Sequence, residues 1–407
     1  MSRTISRSPW SETALASAAP AMPNDPSALL TEAAIGPRDG QGRTAVVAMS
    51  GGVDSAVTAL VMRQRGYRVV GINLRLFSPG DEEHRANPCC GIPAMNDARA
   101  TCALLDIPFY AINMEAEFGA AVVNRFVDEY AAGRTPNPCL ECNRHVKFRH
   151  LVQRARLLGA DCLTTGHYAR VIPGDPASGQ PHRLLQAADP TKDQSYVLYT
   201  LTQEQLGYVH FPLGNLQKTE VRTLARTFGL PVADKAESQE ICFVGKRSYA
   251  DFVAARRPDV ARPGPVVDTS GRVLGDHRGV VHHTVGQRRG LGIPGKDPLY
   301  VLRLEPAANR VVVGPRYAAA AHSLQAANVA LTDGRWPAAP FPVEAMVRYR
   351  GATTPATVTL GPTGSGGATV VFDGEGPVAS PGQAIVFYRD DEVLGGGTID
   401  QVTTALG

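Results

Sequence analysis

The stretch Thr44-Ala-Val-Val-Ala-Met-Ser-Gly-Gly-Val-Asp-Ser-Ala-Val57 decides how the rest of the chain is read. Its apolar start reads as a buried strand. Two glycines follow, then Asp54 and Ser55 at the position where a helix starts. Ala56, Val57, Leu60 and Val61 then share one helical face. Strand, glycine turn and helix N-terminus together make a phosphate-holding geometry. Backbone N–H groups approach the oxyanions closely, and the helix dipole favours the negative charge. No Lys follows the glycine pair, so this is not a Walker A loop with a cation at a γ-phosphate. A cradle of amides and the hydroxyls of Ser50 and Ser55 suits a leaving pyrophosphate. That implies attack at the α-phosphorus of ATP, giving an adenylate.

Bulk properties narrow the class. A chain of 407 residues holds two or three domains, and 43% hydrophobic residues is ordinary for a globular protein. A net charge of +3 neither requires nor excludes a nucleic-acid partner. No apolar run reaches the length of a membrane span. Seven cysteines in so long a chain fit a reducing cytoplasm, where paired thiols point to metal binding or catalysis. Residues 1–42 are rich in Ala, Pro, Ser and Gly without a period, and read as a disordered extension. Arg3 and Arg7 weakly suggest a transit peptide; Glu12, Asp25 and Glu32 argue against one.

Along the chain, strands are expected over Tyr67–Leu74, Pro108–Asn113 and Asp161–Thr165. Helices are expected over Met95–Leu105, Phe118–Tyr130 and Lys147–Leu158. This alternation predicts a parallel α/β sheet covered on both faces. Arg134-Thr-Pro-Asn-Pro-Cys-Leu-Glu-Cys142 carries two prolines in three residues and reads as a stiff loop holding a thiol. After Lys246 helical period fades. Arg262–Asp268 and Val280–Gly292 read as a small β module, and alternating runs from about Ala326 as a small barrel. The domains are therefore placed at 43–247, 248–322 and 323–407.

The loop resembles the PP-loop of the N-type ATP pyrophosphatases. With Arg134–Pro138, Cys142-Asn143, Thr165-Gly-His-Tyr168, Lys192-Asp-Gln-Ser-Tyr196, Ile241-Cys-Phe243, His283–Arg288 and Val347-Arg-Tyr349 added, the chain resembles the tRNA-uridine 2-sulfurtransferases, from Thr44 to its C-terminus. The resemblance implies ATP with Mg2+ as cofactor and adenylation of O2 of the wobble uridine, followed by sulfur transfer to give 2-thiouridine. It implies tRNAs for Lys, Glu and Gln as substrates and a cysteine-desulfurase relay as sulfur source. By the same resemblance, Ala48, Met49, Ser50, Gly51, Gly52, Val53, Asp54, Ser55, Leu74 and Gly166 bind ATP. Asn137, Pro138 and Cys139 line the target base. Cys142 is the nucleophile and Cys242 the persulfide carrier, joined in a transient disulfide. Lys192, Asp193, Gln194, Arg348 and Tyr349 contact tRNA, with His167 and Gln383 supporting recognition. Some members carry Asp where this chain has Cys139.

The chemistry agrees from below. A urea-like carbonyl oxygen leaves poorly until it is adenylated. A persulfide's outer sulfur must be freed or transferred; a second thiolate can attack the carrier sulfur, which needs two thiols distant in sequence and close in space. The base must be flipped out to be reached. Cys102 and Cys162 sit in apolar contexts and read as core residues; the role of Cys89-Cys90 is open. Cys139, Cys142 and Cys242 could instead hold a [4Fe-4S] cluster with one open iron. An amidotransferase-type or lysidine-type PP-loop enzyme would leave the cysteines idle. A non-enzymatic RNA-binding module would bind without ATP.

Overall fold

The computed structural model describes residues 35–77, 91–237, 241–245, 247–294 and 297–404. Cys89 and Cys90, Ser238 to Glu240, and residues 1–34 of the expected extension lie outside that set. Residues 35–42 belong to the first domain's packing: Ile35 is buried in its core, and Asp39 pairs with Arg65 at 2.8 Å.

In chain order the first part runs β1 (Thr44–Ala48), α1 (Val53–Gln64), β2 (Arg68–Arg75), α2 (Ile92–Leu104) and β3 (Phe109–Asn113). Two helices follow, α3 over 115–131 and α4 over 138–157, then β4 (Cys162–Thr164), β5 (Arg170–Ile172), β6 (Arg183–Leu185) and β7 (Val209–His210). The parallel sheet has the order β3-β2-β1-β4-β7. Successive side chains of a strand face opposite ways. Ala45, Val47 and Met49 therefore pack with α1 on one face, and Val46 packs with α4 on the other. Phe148, Leu151, Val152 and Ala155 form the apolar stripe that seats α4.

The second part is a four-stranded sheet of order β10-β11-β8-β9, built from β8 (Gly264–Val267), β9 (Val273–His277), β10 (Tyr300–Glu305) and β11 (Arg310–Gly314). The expected strand character of Val280–Gly292 is not realised: only Val280–His282 is regular, as one 3-10 turn. Gly286, Gly290 and Gly292 all take positive φ, which interrupts any ladder there.

The third part comprises β12 (Ala321–Leu331), β13 (Phe341–Met346), β14 (Thr354–Leu360), β15 (Ala368–Phe372), β16 (Ala384–Arg389) and β17 (Glu392–Thr404). Pairing of β12 with β17 closes these six strands into a barrel. Ala356, Val358, Ala368, Val370 and Phe372 alternate inward, as the period of two demands. The expected α/β domain, small β-rich module and C-terminal barrel are thus all present.

One join was not legible in the sequence. The β5–β6 hairpin of the first domain pairs with β17 and extends the barrel sheet. Beside it, the Tyr196 hydroxyl donates to the Ala384 carbonyl at 2.7 Å, and Tyr196 is 1% exposed. Among the described residues no helix is long and apolar enough to cross a membrane. Tyr196→Phe is expected to cost about 1–3 kcal/mol in urea unfolding, since a buried acceptor loses its donor. An unchanged unfolding midpoint would show that this bond does not hold the barrel to the first domain.

Candidate active site

Strand order reverses at β1 and β4, and ligands of such sheets sit at the carboxyl ends of the strands at that point. The Ser50–Ser55 loop leaves β1 there, and Thr165–Tyr168 leaves β4. The loop is folded on itself. Ser55 Oγ accepts from Ser50 N and Ser50 Oγ, each at 3.2 Å, and donates to Gly52 O at 2.9 Å. Gly51 has φ +77°, and a Cβ placed there would lie 1.9 Å from Ala94 O, so only glycine fits. Gly52 begins α1 without a side-chain cap, and the first-turn amides of a helix have no intrahelical acceptors. A side chain at Gly166 would meet Asp54 backbone carbon at 2.9 Å, so the turn after β4 lies directly on the start of α1. Asn73 donates to Met49 O at 2.6 Å and fixes the end of β1; Ala48 is the last residue of β1.

Two cations that the motif lacks arrive from elsewhere. Lys218 Nζ lies 2.6 Å from Asp54 Oδ1 and 2.9 Å from Glu237 Oε1. Lys235 Nζ donates to Gly51 O at 2.9 Å and pairs with Asp97 at 2.6 Å. Tyr168 donates to Asp54 Oδ1 at 2.8 Å. No local pattern announces these lysines; they follow the glycine loop by more than 160 residues.

The stiff loop expected to end at Cys142 ends five residues earlier. Asn137 Oδ1 accepts from Cys139 N at 3.1 Å and from Leu140 N at 3.3 Å, and Pro138 occupies the first helical position. Proline is excluded from helix interiors but suits that position, since the N–H it lacks would have no partner. Cys142 thus lies one turn inside α4, where it opens a π-helical segment, Cys142–Lys147. That segment packs against a second one, Gly119–Asn124 of α3. Single π segments inside α-helices recur at functional sites. Asn143 donates to Val197 O at 2.9 Å and pins this turn.

Cys142 is 6% exposed in an apolar cluster with Phe118, Val122, Phe126, Val146 and Phe243, and Cys242 packs against the same cluster, half-buried. Phe243 sets this up. Its ring lies 5.0 Å from Phe126, 5.3 Å from Phe252 and 5.8 Å from Phe118, which anchors the residue next to Cys242. Leu74 of β2 packs on this cluster too, linking it to the nucleotide end of the sheet. Cys139 faces solvent. Among the described residues no three His, Cys, Asp or Glu side chains are grouped to hold a single metal ion. Cys102 and Cys162 are buried core thiols; burial pushes Cys102 up to about 12 and raises Cys162.

Of the remaining expected contacts, Tyr349 and the Lys192–Gln194 turn meet. Tyr349 hydroxyl donates to Asp193 O at 3.2 Å, and its ring lies 5.9 Å from Tyr196. Arg348 beside it is exposed. Asp193 is turned inward, accepting from Ala187 N, Ser195 N and Ser195 Oγ, and Gln194 Oε1 accepts from Tyr168 N. These two side chains build the turn, while Lys192 pairs with Glu237 at 2.7 Å. His167 lies between Phe148 and Phe211 with Thr165 Oγ1 2.8 Å from Nδ1; burial, then Lys147, pushes it down to about 3, so it is neutral. Gln383 donates to Thr135 O at 2.9 Å rather than pointing into open solvent.

Three family models cover this architecture in sequence: a tRNA methyl transferase HUP domain over residues 43–246, a tRNA methyl transferase PRC-barrel domain over 250–315, and an aminomethyltransferase beta-barrel domain over 321–399. A tRNA-specific 2-thiouridylase MnmA of Methylobacterium radiotolerans is 48% identical over 370 residues, covering 88% of this chain and 93% of the relative. The chain belongs to the tRNA-specific 2-thiouridylase family. The MnmA of Rhodospirillum centenum is 48% identical over 362 residues, with 87% and 91% covered. That of Geobacter metallireducens is 47% identical over 367 residues, with 88% and 97% covered.

In this 2-thiouridylase-family chain, Glu237 ties the loop lysine to the Lys192 turn. Burial alone would raise its carboxyl, but hydrogen bonds and charge from Lys192 and Lys218 outweigh that and hold it at about 2. The folded value lies below the ordinary 4.5, so the paired carboxylate contributes stability that is complete at neutral pH. That contribution is lost as pH falls from about 4.5 towards 2. Glu237→Gln is therefore expected to be less stable than wild type at neutral pH, with the deficit shrinking through that acid window. A deficit independent of pH would contradict the assignment.

Proposed function

We propose that this protein adenylates O2 of a tRNA wobble uridine with ATP and replaces that oxygen by sulfur, giving 2-thiouridine, AMP and pyrophosphate. The observation that supports the reading is a phosphate-type loop at the sheet's switch point, with Cys142 and Cys242 both packed on one apolar cluster that Leu74 of β2 also touches. Family membership supports the same activity.

Position supports the following roles. Amides of Ser50 to Ser55 receive the phosphates, with Lys218 and Lys235 as the cations nearest the departing pyrophosphate. Mg2+ enters with ATP, and Asp54 is the carboxylate of the loop. Uridine O2 attacks the α-phosphorus, the α–β P–O bond breaks, and pyrophosphate leaves. Cys142 thiolate then attacks the inner sulfur of a Cys242 persulfide. This forms a Cys142–Cys242 disulfide and frees hydrosulfide, which displaces AMP at C2. An external thiol must supply two electrons to reset the pair. Asn137 and Pro138 face the flipped base, and Cys139 stands where a carboxylate is found in other members. These steps need only the two thiols and no iron–sulfur cluster. Lys192, Arg348 and Tyr349 form the RNA-facing side, while Asp193 and Gln194 shape the turn that carries Lys192. Gln383 and His167 support it from behind. Substrates would be tRNAs for Lys, Glu and Gln, with sulfur relayed from a cysteine desulfurase in the cytoplasm.

Cys142→Ser and Cys242→Ser are each expected to abolish 2-thiouridine in tRNA digests while ATP-dependent, tRNA-dependent pyrophosphate release persists. Full thiolation by both variants would remove the two-thiol mechanism. A product that gains nitrogen instead of sulfur would favour an amidating PP-loop enzyme.

A further inference from the structure

The loop that precedes the nucleophile helix is held from all three domains, and its central anchor, Arg134, has no part in the reaction just described. On the barrel side, Thr135 N donates to Pro381 O at 2.7 Å, and Gln383 Nε2 donates to Thr135 O at 2.9 Å. Gly382 passes so near that a Cβ there would lie 2.9 Å from Thr135 N. Arg134 spans the same gap. It donates to Ile399 O at 3.2 Å and to Asp400 Oδ1 at 3.1 Å, and its Nε is 2.8 Å from Glu129 on α3. On the central module's side, a Cβ at Gly133 would lie 2.8 Å from Pro306. The barrel turn that grips the loop is itself tied to the central module, through Ser380 Oγ donating to Val285 O at 3.0 Å.

Only Pro136 separates Thr135 of this junction from the Asn137 cap, and Cys142 is one helical turn further. Asn137 is extended, with φ −105° and ψ 99°, as the proline that follows it favours. We infer that Arg134 is a positioning residue, which converts correct seating of the barrel against the first domain into the correct reach of Cys142 and of the base-lining residues Asn137 to Cys139. The barrel is then needed for turnover as well as for holding RNA. Arg134 suits the task because its planar fork meets two carboxylates and a carbonyl at once; a lysine ammonium meets fewer.

The inference rests on the thiolation reading, and the test separates the two. Steady-state thiolation of a transcribed tRNA is measured for wild type, Arg134→Ala, Arg134→Lys and Asp400→Ala, with thermal melting of each. Misplacing reacting groups by about 1 Å can cost on the order of 100-fold, so Arg134→Ala is expected to lose kcat by that order with KM for tRNA unchanged. Arg134→Lys should recover part of the loss. Asp400→Ala, at a half-exposed partner, should show a smaller loss of kcat with the same unchanged KM. If Arg134→Ala does not fold, Asp400→Ala with Arg134→Lys decides. A raised KM with unchanged kcat would make Arg134 an RNA contact and overturn the inference, as would wild-type kcat in all three variants. A wild-type protein that forms no 2-thiouridine would overturn the functional reading itself, and the inference with it.

Discussion

The start of α4 is the constraint on which the site depends. Asn137 accepts two backbone N–H groups, and Pro138 supplies a backbone already set for the first helical turn. Because the helix can begin only there, Cys142 is carried one turn into it and held with its sulfur in an apolar cluster. The loop form expected from two prolines would have left that thiol's direction to chance. The π segment that opens at Cys142 shifts the helix register just where Asn143 is bonded to Val197. Phe243 then brings the second thiol to the same cluster through edge-on and tilted contacts with three rings.

Electrostatics at the nucleotide end follow a similar plan. The glycine loop offers amides and hydroxyls but no charge except Asp54. The cations are supplied by the segment after β7, and each is balanced in this structure: Lys218 by Asp54 and Glu237, Lys235 by Asp97. An arriving polyphosphate can exchange places with those carboxylates without any lysine being left uncompensated. This balance also suits a chain whose net charge is only +3.

Much of this was legible in the sequence because it is written in local patterns. Strand, glycines and helix start at Thr44–Val57 fixed the loop, and period-two runs such as Ala368–Phe372 announced the barrel. What stayed hidden depends on distant partners. Lys218 and Lys235 sit among ordinary surface-like residues, and nothing nearby distinguishes them from solvated charge. The β5–β6 hairpin looks like part of the first domain until its pairing with β17 is seen. The helix start at Pro138 was misread because proline was weighed as a breaker and not as a first helical residue. The side chains of Asp193 and Gln194 bond to Ser195 and Tyr168, partners that no local pattern announces. A polar turn signals its composition but not which side its groups face.

The most direct test of the account is to trap the enzyme in a single turnover with persulfide-loaded protein, ATP and tRNA, and to map thiol linkages by peptide mass spectrometry. A Cys142–Cys242 disulfide formed in step with 2-thiouridine is the predicted result. Thiouridine formed with no such link, or with a link through Cys139 instead, would contradict the two-thiol site.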